Sequence, residues 1–158
     1  MQGVSKQQVR VDRHNRDALP PKEGSDLFIT AFSDASWHPT TKAYGVGVWI
    51  KSKEGLVRHG FGGVIAKSSE AEKAGLLFIV ETLQSLDLTG RIVVIQCDNL
   101  GELNKLDVSP LKAKGAKHVK LKHVRGHTSH QTARTSVNAW CDKRAYEERK
   151  LVEQGLRA

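Results

Sequence analysis

The sequence lacks any apolar run approaching the roughly 18 residues that a bilayer span needs. Its polar, mixed-charge N-terminus also lacks the apolar stretch of a signal peptide. Cysteine is scarce: Cys97 and Cys141 could pair in principle, but nothing else suggests a disulfide scaffold. Each lies in an apolar segment beside an acid, so both are expected to be reduced and buried in a cytoplasmic protein. Membrane-spanning and disulfide-stapled secreted classes are thereby set aside. What remains is a chain of 158 residues, 39% hydrophobic and 27% charged, which suits one soluble globular domain with a sizeable core.

Acidic counterweight is missing from one part of the chain. The formal net charge is +8. Residues 1–103 hold 12 Lys/Arg and 12 Asp/Glu, whereas residues 104–158 hold 13 against 5, so the whole excess lies in the latter. Such asymmetry points to a polyanionic partner, nucleic acid being the commonest, although a solvated basic face would look the same on charge alone.

Residues 1–26 are polar and aperiodic and end in Pro20-Pro21-Lys22-Glu23-Gly24-Ser25-Asp26, which reads as a flexible tail ahead of a domain spanning 27–158. Residues 27–33 form an apolar run of strand type followed by Asp34. Residues 43–51 and 56–65 read as two further strands joined by a tight turn at Lys53-Glu54-Gly55, giving an antiparallel meander. The period then changes: Gly75, Leu76, Ile79 and Leu83 form one stripe of a helix over 69–86. Residues 91–97 are a near-continuous apolar strand of the kind buried on both faces. A short helix is expected over 99–106, with Ser109-Pro110 breaking the chain after it. A last strand follows over 117–124, then a terminal helix from 136 to about 154. The order β-β-β-α-β-α-β-α implies an α/β fold, a mixed sheet with helices on its faces.

The carboxylates gain meaning on that map. Asp34 and Asp98 each end an apolar strand; if the two strands are parallel neighbours, both acids project at one carboxyl edge, where α/β sites usually form. Gathering hard oxygen ligands in this way suits Mg²⁺. Either Asp taken alone would ordinarily be a turn or cap residue. In the first helix, Glu70 and Glu72 lie about 200° apart. Glu72 heads the apolar stripe and faces the sheet, while Glu70 points to solvent at a helix N-terminus that favours it. A competing reading keeps Glu72 as the reach-back acid of a Ser69-x-x-Glu72 capping box. Asp142 lies beside Trp140 and Cys141; an acid so near buried residues needs a salt bridge or a metal, since a buried unpaired carboxylate is costly.

With these residues placed, the chain resembles type 1 ribonuclease H from about Leu27 to Tyr146. Phe32-Ser33-Asp34-Ala35-Ser36 with Tyr44-Gly45-Val46-Gly47 is similar to that family's first-strand Asp segment and its glycine-containing second strand. Ser68-Ser69-Glu70-Ala71-Glu72 looks like the opening of its first helix, and Val93 to Asn99 like its strand ending in a second Asp. The most specific piece is His123-Val124-Arg125-Gly126-His127-Thr128-Ser129-His130 followed by Asn138-Ala139-Trp140-Cys141-Asp142-Lys143-Arg144-Ala145. The stretch between His130 and Asn138 is longer than the family's short form. Only 28 residues separate Asp98 from His127, too few for the basic helical protrusion of some bacterial members. Nor can the short tail hold the separate hybrid-binding domain of eukaryotic members.

The resemblance implies a ribonuclease H-like five-stranded mixed sheet and an endonuclease that hydrolyses the RNA strand of RNA–DNA hybrids. It implies two Mg²⁺ ions, with Mn²⁺ as the alternative, held by Asp34, Glu72, Asp98 and Asp142. Asp34 and Asp98 would share the ions, with Glu72 nearer the leaving group and Asp142 nearer the attacking water. His127 would relay protons or help product leave, while His123 and His130 would be structural or hybrid-facing. Ser68 and Ser69 are expected at the hybrid's sugars and phosphates. Arg125, Lys120 and Lys122, together with Lys112, Lys114 and Lys117, would track its backbone. Trp37 either borders the site or packs, and a monomer is the default. Exonucleases that use four acids carry Asp-x-Glu on the first strand, which Asp34-Ala35-Ser36 lacks; resolvases and transposases share the fold with other acid spacings. A module that kept the fold and lost activity is the remaining alternative.

Overall fold

The computed structural model describes residues 25–124 and 133–156. Most of the expected tail therefore lies outside the described residues; its last two, Ser25 and Asp26, belong to a 3-10 turn over Ser25–Leu27 that leads into the first strand. Five strands follow, β1 (Phe28–Trp37), β2 (Ala43–Ser52), β3 (Gly55–Val64), β4 (Ile92–Cys97) and β5 (His118–His123). Between and after them come α1 (Ser68–Leu83), α2 (Leu100–Lys105), α3 (Ser109–Ala113) and α4 (Ala133–Glu153). The sheet order is β3-β2-β1-β4-β5. Its first three strands form the expected antiparallel meander, and β1-β4 and β4-β5 pair in parallel. None of the described helices is long and apolar enough to cross a membrane.

Local chemistry explains the elements. Ser52 pairs with Gly55, so only Lys53 and Glu54 turn the β2–β3 hairpin, and Gly55 takes φ of 136°, open to glycine alone at low cost. In α1 the stripe Gly75, Leu76, Ile79 and Leu83 is buried against Ile29, Ala31, Val46, Val48 and Val93. Each such large aliphatic side chain contributes about 1.5–3 kcal/mol when fully buried. A second cluster, Phe32, Trp49, Leu56, Val124, Val137 and Cys141, lies on the other sheet face beneath α4. Cys97 and Cys141 are both buried and unpaired, as expected.

Two expectations are corrected. Asp34 does not end β1: the strand continues to Trp37 because β2 pairs with it through Trp37↔Tyr44. What ends near Asp34 is the parallel partner, whose last bridge is Phe32↔Gln96. Nor does Ser109-Pro110 break the chain. Pro110 lies in the first turn of α3, where its missing N–H removes no helical bond, and Asp107 Oδ1 accepts the Ser109 N–H at 2.9 Å just ahead of it.

Candidate metal centre

The end of β4 opens the site. Beyond Phe32, β1 has β2 on one side and no β4 on the other, so Asp34 stands where the sheet divides. Asp98 follows β4 directly, and the segment carrying it is held at several points. Val124 donates its N–H to the Cys97 carbonyl at 2.9 Å, His123 Nε2 lies 3.0 Å from the Asp98 carbonyl oxygen, and Asn99 Oδ1 caps α2 by accepting the Glu102 N–H at 3.0 Å.

Glu72 is freed by its neighbour. Lys67 is the N-cap of α1, and its N–H donates to Glu70 Oε1 at 3.1 Å. Glu70 is thus the reach-back acid of the capping interaction, not a merely solvated charge, and the Ser69–Glu72 capping box does not form. Glu72 turns to the sheet, where its Oε1 is buried without a hydrogen-bond partner.

One carboxylate oxygen each from Asp34, Glu72 and Asp98 lies within 4.8 Å of the other two. Asp142 is exposed on α4, the helix on the sheet face opposite α1, and its carboxyl is in hydrogen-bonding contact with that of Asp34. Burial, then the charges of Asp98 and Asp142, push the Asp34 carboxyl up to about 8, against the one lowering contact from the Ala35 N–H. Glu72 is likewise pushed up to about 8, by burial first, then by Asp98, Asp34 and Glu102. Burial and the same acids raise the Cys97 thiol to about 12, so it stays protonated and inert.

A cation is what this set fits. Hard oxygen donors converge, one is buried without a partner, and burial, with mutual repulsion behind it, keeps protons on Asp34 and Glu72 that would otherwise be lost. Sequence reasoning missed Glu102, which is 7% exposed, faces Glu72 and pairs with Lys105 Nζ at 3.5 Å. The spacing Asn99-x-x-Glu102, that of a capping box, was the available signal.

The structure separates the remaining candidates. Ser68 and Ser69 form the first turn of α1, with Ser68 exposed. Lys120 and Lys122 are exposed on the edge strand β5, and Lys112, Lys114 and Lys117 are exposed ahead of them. Trp37 packs: its indole N–H donates to the Ile65 carbonyl at 3.0 Å and the Lys42 ammonium lies 5.1 Å from its ring centre. Arg125, His127 and His130 lie outside the described residues.

No family model and no curated protein matches the chain. Solved structures do. The RNase H1 of the halophilic archaeon Halobacterium salinarum is 18% identical at a TM-score of 0.53, over 77% of this chain and 96% of that one. LC11-RNase H1, solved with an RNA/DNA hybrid, is 16% identical at 0.58, over 79% and 99%. The N-terminal RNase H domain of a Mycobacterium tuberculosis protein is 14% identical at 0.60, over 82% and 98%. At such identities the likeness carries the fold, and with the strand order β3-β2-β1-β4-β5 it is complete: this chain has the type 1 ribonuclease H-like fold.

Proposed function

We propose that this protein is a metal-dependent endonuclease that hydrolyses the RNA strand of RNA–DNA hybrids. The observation that carries the reading is the convergence of Asp34, Glu72 and Asp98 within 4.8 Å, with Asp142 touching Asp34 from a separate helix. Asp34 meets Asp142 as well as Glu72 and Asp98, and these four acids would together hold the divalent cations. Bound there, Mg²⁺ or Mn²⁺ would supply an activated water and charge stabilisation at the leaving oxygen. The protein's part is to hold four carboxylates in place and to present the scissile phosphate to them. His127, in the proposal, moves protons or assists product release.

Substrate choice draws on two further supports. LC11-RNase H1, of the same fold, has been solved with a hybrid. On this chain, Ser68 and Ser69 open α1 beside Glu72, where free N–H groups and hydroxyls suit a phosphate and a 2′-hydroxyl. Lys120, Lys122 and Arg125 add the salt-sensitive part of the grip.

A hybrid labelled on the RNA strand, incubated with Mg²⁺, tests the reading. We expect internal cleavage of RNA that EDTA abolishes and that Asp98→Asn lowers by about 10²–10³-fold. Undiminished cleavage by the Asp98→Asn protein would overturn the site, and tight hybrid binding with no cleavage by the wild type would overturn the enzyme.

A further inference from the structure

We propose that Gly47 is a positioning residue for Asp142: its missing side chain sets how closely α4 lies on the sheet, and hence whether Asp142 reaches Asp34. The inference rests on the metal-site reading above.

Gly47 is the direct cross-strand partner of Asp34 in the β1–β2 ladder. It therefore occupies the same sheet face, beside the acid that Asp142 must meet. A methyl group built at Gly47 would overlap the carbonyl oxygen of Cys141 and stand 3.0 Å from both the carbonyl carbon and the Cα of Cys141. The obstacle is helix backbone, in the residue immediately before Asp142, and it cannot yield by a side-chain rotation. Rotation of α4 about its axis is also opposed. Cys141 is fully buried, with its thiol 3.9 Å from the Phe32 carbonyl oxygen, and Val137 packs in the same cluster. The response left to the helix is to recede, on the order of 1 Å, a misplacement that costs roughly 10²-fold where reacting groups must align.

Two further glycines beneath α4, Gly60 and Gly62, differ from Gly47 in what they hold. At Gly60 the nearest atoms are in the side chains of Arg144 and Glu148. At Gly62 they are the Tyr44 carbonyl at 2.5 Å and Val152 Cγ2 at 3.0 Å, towards the far end of the helix. A methyl at Gly62 strains the same interface without lifting the turn that carries Asp142.

The experiment compares wild type, Gly47→Ala, Gly62→Ala, Asp142→Glu and the Gly47→Ala/Asp142→Glu double variant. Three quantities are read: melting temperature, the Mn²⁺ concentration giving half the maximal thermal shift, and RNA-strand cleavage. Gly47→Ala is expected to lose about 10²-fold in cleavage and to need more Mn²⁺. The added methylene of Asp142→Glu, about 1.5 Å of reach, restores part of both in the Gly47→Ala background while lowering cleavage in the wild-type one. Gly62→Ala is expected to melt earlier, with metal midpoint and cleavage within about threefold of wild type. Should Gly47→Ala fail to fold, Gly45→Ala takes its place with the same expectations, because a methyl there overlaps the Ala145 carbonyl one turn along the same helix. The inference is overturned if an active wild type is matched by a Gly47→Ala protein that differs from it no more than Gly62→Ala does, or if Asp142→Glu rescues nothing. A wild type that neither binds Mn²⁺ nor cuts hybrid overturns both the functional reading and this one.

Discussion

Two clusters of buried charge lie at opposite ends of the same parallel strand pair. At the end where β4 begins, Arg91 is 4% exposed in its side chain and binds Glu54 of the β2–β3 turn through two bonds, 2.9 and 3.0 Å. Burial alone would push the Glu54 carboxyl up, but the Arg91 hydrogen bonds and charge hold it below its ordinary value. At the other end, Asp34, Glu72 and Asp98 converge, and two of the three are pushed up to about 8 by burial and by the neighbouring acids. One cluster is balanced and fastens a hairpin to the sheet. The other sets acid beside acid and gives up stability to hold an arrangement that suits a bound cation. The difference separates architecture from function more sharply than burial does, since both ends are desolvated.

The comparison can be broken from either end. Arg91→Met strands Glu54 and is expected to cost about 2–4 kcal/mol in chemical denaturation, while cleavage per folded molecule stays near wild type. Equal loss of specific activity would show that the far end also serves the reaction. Glu72→Gln is expected to do the reverse: a fall in cleavage of about 10²–10³-fold, with the metal-free protein stabilised by about 1–2 kcal/mol through relief of repulsion. A less stable metal-free Glu72→Gln protein would mean that the carboxylate is structural.

The pH dependence carries the same contrast. Asp34 and Glu72 hold protons more tightly folded, near 8, than at their ordinary 3.8 and 4.5. Between about pH 4 and pH 8 the unfolded chain therefore binds fewer protons than the folded one, and metal-free stability falls as pH rises through that window. Urea midpoints measured with EDTA should show this decline, and saturating Mg²⁺ should flatten it; a metal-free protein whose stability is level across the window would show that burial and repulsion do not raise the proton affinity of Asp34 and Glu72. The smallest effect expected is at Glu70. Glu70→Ala removes the acceptor for the Lys67 N–H and should cost about 0.5–1 kcal/mol with cleavage unchanged. A cleavage defect comparable to that of Glu72→Gln would place the wrong glutamate in the site.

What could be read from the sequence follows the range of the physics involved. Asp34 and Asp98 were legible because each directly follows an apolar strand-forming run, and Glu72 because helical phase is local. Glu70's part was not, since the helix starts one residue before the expected Ser69 and the cap falls on Lys67, which carries no capping side chain. The continuation of β1 past Asp34 depends on its partner β2, and pairing across a turn leaves no mark in β1 itself. Pro110 was read as a stop although it suits a helix start equally well. Glu102 and Gly47 acquire meaning only from what packs against them, Glu72 in one case and the Cys141 carbonyl in the other.

Strand β5 closes one side of the sheet and leaves its outer backbone edge without a strand partner among the described elements. Such an edge is a template on which a second molecule can add its own strand, the first step of aggregation. Lys120 and Lys122 stand exposed along it, so two such edges brought together would set like charges against each other. The lysines offered above as a grip on a polyanion are thus also a guard on the protein's solubility. The two duties are linked: whatever neutralises the lysines by binding also removes the repulsion that keeps one edge from the next.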